Sequence, residues 1–274
     1  MTRGEKIAFQ KKIFNWWKRN KRDLPWRHTH DPYKILVSEV MLQQTTVSRV
    51  LIKYPVFIKA YPTVKDLANA SSGDILRIWK GMGYNRRALY LQKTARAIVD
   101  IYQGRVPSAE QELTKLPGLG KYTARAVLVF AFRKDIAMVD TNIRQILTHF
   151  FFHDKPQSEK IIQELADQLV PIGKSWEWHQ AMMDYGAMNA SEWRRPERSR
   201  RMERKPTPFK ETNRYFRGRI IDLLREKSYK EKELIENLYL EYGKDKIFYI
   251  DLLKKLEKDG LVVQKNNFWS LPTI

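Results

Sequence analysis

Leu116-Pro117-Gly118-Leu119-Gly120-Lys121-Tyr122-Thr123-Ala124 and, further on, Val139-Asp140-Thr141-Asn142 bracket the stretch 113–142, which decides how the chain is read. It reads as a helix, a tight Pro-Gly-x-Gly turn, a second helix, an apolar run, and a carboxylate twenty residues beyond the turn. The two glycines allow a sharp turn with positive φ and leave backbone N–H groups bare at the N-terminus of the second helix. Such a terminus suits a phosphate. Lys115, Lys121 and Arg125 surround it, so a nucleic-acid backbone phosphate is the anion expected. Taken alone, the motif is an ordinary corner between two helices, and its company has to decide.

Outward from this stretch the apolar residues recur at helical spacing. Ile7, Phe9, Ile13, Phe14 and Trp17 predict a helix over 5–20, broken at Pro25. Others are expected from Pro32 through Leu42, over 46–60, from the capping Thr63, over 73–80, over 85–103 and over 176–190. Strand signals are nearly absent before residue 190, which predicts an all-helical domain over 1–191. An arginine-rich linker or loop follows over 192–213. Beyond it, three short helices and two strands around Asn266-Asn267, a hairpin turn signal, suggest a winged-helix-like domain over 214–274. Such a domain serves DNA or protein contacts equally well.

Lys and Arg number 51 against 31 Asp and Glu, a net charge of +20 spread along all 274 residues. That spread favours a polyanion-binding surface over a basic tail. With no cysteine, disulfides and cysteine-ligated zinc or iron–sulfur clusters are excluded. The five histidines do not cluster as metal ligands, so no metal is expected. No run approaches a membrane span and the N-terminus lacks a signal-peptide core, so a soluble, cytoplasmic protein without a membrane partner is expected.

Two carboxylates stand alone. Glu39 is the only charged residue between Lys34 and Arg49, and Asp140 is the only one between Ile136 and Ile143. An ionised carboxylate in a packed segment is costly unless something specific holds it. Asp140 also fits a helix N-cap and Glu39 a partly exposed helix position. Two carboxyls in unlike surroundings suit acid chemistry on a glycosidic bond: one protonated to activate the leaving group, one ionised to face an oxocarbenium-like sugar.

The hairpin followed by Val139-Asp140-Thr141-Asn142 resembles the helix-hairpin-helix and catalytic Asp of the DNA glycosylase superfamily that includes endonuclease III. More narrowly, the segments 22–27, Ser38-Glu39-Val40-Met41-Leu42-Gln43-Gln44-Thr45, Gly81-Met82-Gly83-Tyr84 and Met183-Asp184-Tyr185-Gly186-Ala187 resemble the A/G-specific adenine glycosylases of the MutY type. The match is collinear over roughly 7–190. It implies a mainly α helix-hairpin-helix DNA glycosylase fold and a monomeric enzyme acting on duplex DNA with a mismatched or oxidised base pair. Glu39 would protonate the extruded adenine and Asp140 would stabilise the sugar, with Tyr122 and Asn142 in support. Arg22, Leu24, Trp26, Arg27 and Asp184 would line the base pocket. Gln43, Gln44, Tyr84, Gly118, Gly120, Lys121 and Thr123 would meet DNA, Gln44 and Tyr84 as wedges.

Two features depart from that family. Its members usually carry four cluster-binding cysteines where this chain has the cysteine-free, arginine-rich 189–205, so no iron–sulfur cofactor is expected. They also carry a C-terminal domain that reads 8-oxoguanine, and here a shorter winged-helix-like segment stands in its place. The expected activity is therefore release of adenine opposite 8-oxoguanine or guanine. Release of thymine or uracil from T:G or U:G pairs, and non-catalytic binding of damaged DNA, are the competing readings.

Overall fold

The computed structural model describes residues 2–189, 193 and 207–273. In chain order the helices are α1 (Arg3–Asn20), α2 (Pro32–Leu42), α3 (Val47–Ala60), α4 (Val64–Asn69), α5 (Ser72–Ile78), α6 (Arg86–Tyr102) and α7 (Glu110–Leu113). After the hairpin come α8 (Lys121–Phe130), α9 (Thr141–Phe152), α10 (Glu159–Leu169), α11 (Ser175–Asn189), α12 (Asn213–Glu226), α13 (Glu231–Tyr242) and α14 (Lys246–Lys258). Strands β1 (Tyr229–Lys230), β2 (Val263–Lys265) and β3 (Phe268–Ser270) are confined to the C-terminal segment. No helix among the described residues is long and apolar enough to cross a membrane.

The described residues fall into two compact units, and neither is one continuous run of chain. The first gathers Met1–Glu39, Val106–Lys115 and Leu119–Glu203. The second gathers Val40–Arg105, Leu116–Gly118 and Arg204–Ile274. Composition places boundaries at 192 and 214, whereas packing joins the C-terminal segment to the residues that follow Glu39. The arginine-rich stretch between those boundaries lies mostly outside the described residues.

In the first unit α1 opens with a capping box: the Thr2 hydroxyl accepts from Glu5 N, and the Glu5 carboxylate accepts from Thr2 N. The core joins Phe9 and Ile13 of α1 to Ile143, Ile146 and Leu147 of α9, Ile162 of α10, and Trp178, Met182 and Tyr185 of α11. Full burial of each such side chain contributes roughly 1.5–3 kcal/mol. Ile7, counted above on the apolar face of α1, is instead exposed. Helices α9 and α11 meet at Gly186, where an added Cβ would lie 2.7 Å from Asn142 Cβ. Glycine is what lets the start of α9 approach that closely.

In the second unit α4 packs on α6, and α12 packs on α5. Arg225, buried near the end of α12, donates from Nε to the Leu76 carbonyl at 2.9 Å and from Nη2 to Asn85 Oδ1 at 3.0 Å. Gly73 N donates to the Pro272 carbonyl, and a Cβ at Gly73 would lie 2.7 Å from that oxygen. The C-terminal residues therefore rest directly on the N-terminus of α5. Within this segment the order is helix, strand, two helices, two strands, with sheet order β1-β3-β2 and Lys265 opposite Phe268. That is the arrangement of a winged helix. Asn266 and Asn267 turn the hairpin with φ of 48° and 63°, the left-handed pair such a tight turn requires.

Candidate active site

Glu39 sits on α2 among Ile35, Leu36, Val37, Val40 and Met41, all buried, and is itself 6 % exposed. A carboxyl placed there resists ionisation. Burial pushes its pKa up to about 7, the charge of Asp140 pushes the same way, and a hydrogen bond donated by the Tyr122 phenol pulls against both. Tyr122, the second residue of α8, is held well above the usual phenol range by burial and by the two carboxyls, so it faces Glu39 as a neutral O–H donor. Removing that donor leaves ionised Glu39 with less support. Tyr122→Phe should therefore raise the Glu39 midpoint further, as read by NMR titration of its carboxyl carbon, and an unchanged or lowered midpoint would contradict the arrangement.

Asp140 is the N-cap of α9. Its Oδ1 accepts from Ile143 N at 2.7 Å and its Oδ2 from Asn142 Nδ2 at 3.3 Å. Burial raises its pKa, while the N–H groups of the helix end and the Asn142 amide oppose that rise by stabilising the anion. The two carboxyls thus have unlike surroundings: the Tyr122 phenol supports Glu39, and a helix N-terminus supports Asp140. N-capping and a chemical role for Asp140 are compatible, because the cap fixes where the carboxylate points.

Asp184 is fully buried on α11. Its oxygens accept from Arg27 Nη1 and Nη2 at 2.8 and 2.7 Å, from Arg22 N and Nε at 3.1 and 2.6 Å, and from Trp17 Nε1 at 2.9 Å. Burial opposes its charge, yet the arginines prevail and its pKa is lowered. So saturated, Asp184 is no free pocket wall; it fixes Arg22 and Arg27. Leu24 and Trp26, read above as pocket residues, are buried in the protein itself.

Of the residues expected on DNA, Gln44, Gly118, Gly120 and Lys121 are exposed, as is Tyr84, and Gln43 is partly so. Thr123 is a correction: it is 3 % exposed and belongs to the packing of α8. Arg125 is another, since it turns away from the hairpin to Glu110 Oε2 at 3.0 Å and the Ala137 carbonyl at 2.8 Å. Of the two hairpin glycines only Gly118 has positive φ, at 77°, and a Cβ there would strike Tyr90 at 2.8 Å. Gly120 is the extended N-cap of α8, and a Cβ there would meet nothing within 4 Å. Its backbone is open to a ligand from outside.

Residues 37–171 match the HhH-GPD superfamily base excision DNA repair protein model. The chain is 36% identical over 191 residues to a thymine/uracil-DNA glycosylase of Methanothermobacter thermautotrophicus, covering 68% of this chain and 86% of that protein. It is 35% identical to an adenine DNA glycosylase of Buchnera aphidicola, covering 66% of this chain and 53% of the relative, so it spans about half of that protein. A solved thermostable thymine-DNA glycosylase superposes with a TM-score of 0.66 at 34% identity, over 70% of this chain and 91% of the other. The chain belongs to the HhH-GPD superfamily of base excision DNA repair proteins. It is a DNA N-glycosylase, and its relatives divide over which base they release.

Two residues that fix backbone next to these candidate positions had no motif to announce them. His179, buried on α11, accepts from Met138 N at 3.1 Å through Nε2 and donates from Nδ1 to the Ser175 carbonyl at 2.7 Å. Burial depresses its pKa to about 4, keeping the ring neutral and the approach to Asp140 fixed. Its only sequence signal is a polar ring between Trp178 and the apolar Ala181-Met182-Met183. Arg87, on α6, donates to the carbonyls of Val40, Met41 and Gln43 at the end of α2, and to Thr45 Oγ1, Met82 O and Gly83 O. One guanidinium thus closes the C-terminus of the helix carrying Glu39 and ties the Gln43-Gln44 turn to the loop before Tyr84. Gln44 and Tyr84 both hold left-handed backbone, φ 51° and 47°. For non-glycine residues that is an uncommon conformation, kept by surrounding contacts. Among the described residues no three His, Asp or Glu side chains converge to hold a metal.

Proposed function

We propose that the chain is a monofunctional adenine glycosylase that hydrolyses the N-glycosidic bond of adenine mispaired with 8-oxoguanine or guanine in duplex DNA. The observation that carries this reading is the buried Glu39, held near half-protonation at neutral pH by burial and Asp140. An acid poised there suits a purine, whose basic ring nitrogens can take a proton as the base departs. Thymine and uracil offer no basic ring nitrogen. In this scheme Glu39 delivers its proton to the extruded adenine, the C1′–N9 bond breaks, and the Asp140 carboxylate faces the cationic sugar. Ionised Glu39 then accepts a proton from the attacking water, which restores the acid. Tyr122 holds the Glu39 carboxyl in place, and Asn142 does the same for Asp140.

The second reading, release of thymine or uracil opposite guanine, draws support from the Methanothermobacter relative at similar identity. Single-turnover base release from duplexes carrying A:8-oxoguanine, A:G, T:G, U:G and A:T separates the two. Expected is adenine from the first two, faster opposite 8-oxoguanine, with the abasic strand left intact, because the Tyr122 phenol cannot form the Schiff base that strand cleavage needs. Preferential release of thymine or uracil overturns the adenine reading. Borohydride trapping of an enzyme–DNA adduct overturns the monofunctional one, with Lys121 the first residue to test.

A further inference from the structure

The second unit holds a groove of about 670 Å³ with one wall from Gly81 to Tyr90 and the other from α12. Its lining includes seven arginines and a single carboxylate, Asp222. The acids nearby answer only part of this charge. Asp222 pairs with Arg219 and Arg225, and Asp259 pairs with Arg217 and, at 3.7 Å, with Arg86. Among the described residues Arg49 and Arg214 meet no carboxylate. Arg214 instead lies over the Tyr84 ring, its guanidinium carbon 3.9 Å from the centroid, and donates to the Tyr84 hydroxyl at 2.6 Å. Burial lowers the Arg87 pKa to about 10, and the nearby charge of Arg214 pushes the same way. The Nε atoms of Arg87 and Arg219 are buried without a hydrogen-bond partner. Crowded like charges, unanswered donors and the aromatic rings of Tyr84, Tyr90 and Tyr215 describe a site built for an extended polyanion that carries bases.

We propose that this groove binds the sugar–phosphate backbone of one DNA strand, with α12 of the C-terminal segment supplying half of the site. Seating the strand transfers Arg214 from the Tyr84 ring to a phosphate and frees that ring to enter the duplex. The winged-helix-like segment then acts through the first of its helices rather than as an appended module, because α12 is pinned to α5 by Arg225. The inference rests on the chain acting on duplex DNA and does not depend on which base is released.

Among the described residues Arg49 and Arg214 have no carboxylate partner and, unlike Arg87, do not tie backbone carbonyls together, so Arg49→Ala and Arg214→Ala strand no buried acid. Each phosphate contact contributes about 0.9 to the slope of log K against log salt. With an abasic-site duplex as the ligand, each single variant should flatten the slope by about 0.9 and the double variant by about 1.8. Arg214→Lys, which keeps the charge and loses the planar cover on Tyr84, should keep the slope. A double variant that melts like the wild type and shows an unchanged slope overturns the proposal. So does a double variant that loses affinity for inorganic tripolyphosphate and keeps it for the duplex. Base release by saturating wild-type enzyme, measured in parallel, keeps the two questions apart. Release with no change in slope sinks the groove alone, and a flattened slope with no release sinks the catalytic reading alone.

Discussion

Glu39→Gln should lower single-turnover base release by at least about 10³-fold while leaving duplex affinity within a few-fold of wild type. Glutamine keeps the shape and the hydrogen bond to Tyr122 and cannot give up a proton to a leaving base. The same change should stabilise the fold above neutrality. An unfolded glutamate ionises near its ordinary value of 4.5, while the folded one holds its proton until about 7. Native Glu39 therefore costs stability progressively as pH rises across that interval, up to about 3 kcal/mol. A variant that loses activity and gains urea resistance at pH 8 would show a carboxyl kept for chemistry at the expense of the fold. A variant with wild-type release rates would remove Glu39 from the mechanism, whatever its stability.

Asp184→Asn should be among the most damaging single substitutions in the first unit, costing about 3–5 kcal/mol in urea unfolding at pH 7. The reason is the partner left behind: the Arg27 side chain is nearly as buried as Asp184, and its charge would remain with no carboxylate to answer it. Because the Asp184 pKa is lowered, its contribution is complete above the ordinary carboxylate value of 3.8 and is lost only as pH falls below it. The deficit of the variant should thus be constant between pH 6 and 8. A loss below about 1 kcal/mol would mean that water reaches Arg27 and that the clamp is not sealed.

How much of this was legible in the sequence depended on whether a residue's partners lay nearby in the chain. The amphipathic helices, the Thr63 cap and the Asn266-Asn267 turn are local matters, and each stands where its pattern puts it. Glu39 and Asp140 announced themselves by standing alone in apolar runs. What they touch did not: the Tyr122 contact joins residues more than eighty positions apart. Gly118 and Gly120 looked equivalent as letters, and only their surroundings separate the strained turn from the open helix start. The Gly186–Asn142 approach, the His179 bond and the carbonyls gathered by Arg87 are all long-range, with no spacing rule to reveal them. Strand β1 is two residues long and gains its partners only from β3, so no period could show it. The arginine-rich 189–205 lies almost wholly outside the described residues, and the basic groove on α12 came from none of the motifs.

The central claim, that a buried glutamic acid supplies the proton on which base release depends, is tested most directly by the pH profile of single-turnover release at saturating enzyme. The structure places the Glu39 midpoint at about 7. The rate should level off below that pH and fall close to tenfold per unit above it, with Tyr122→Phe moving the descending limb to higher pH. A rate that stays flat from pH 6 to 9, or that rises across this range, would contradict a protonated Glu39 as the acid.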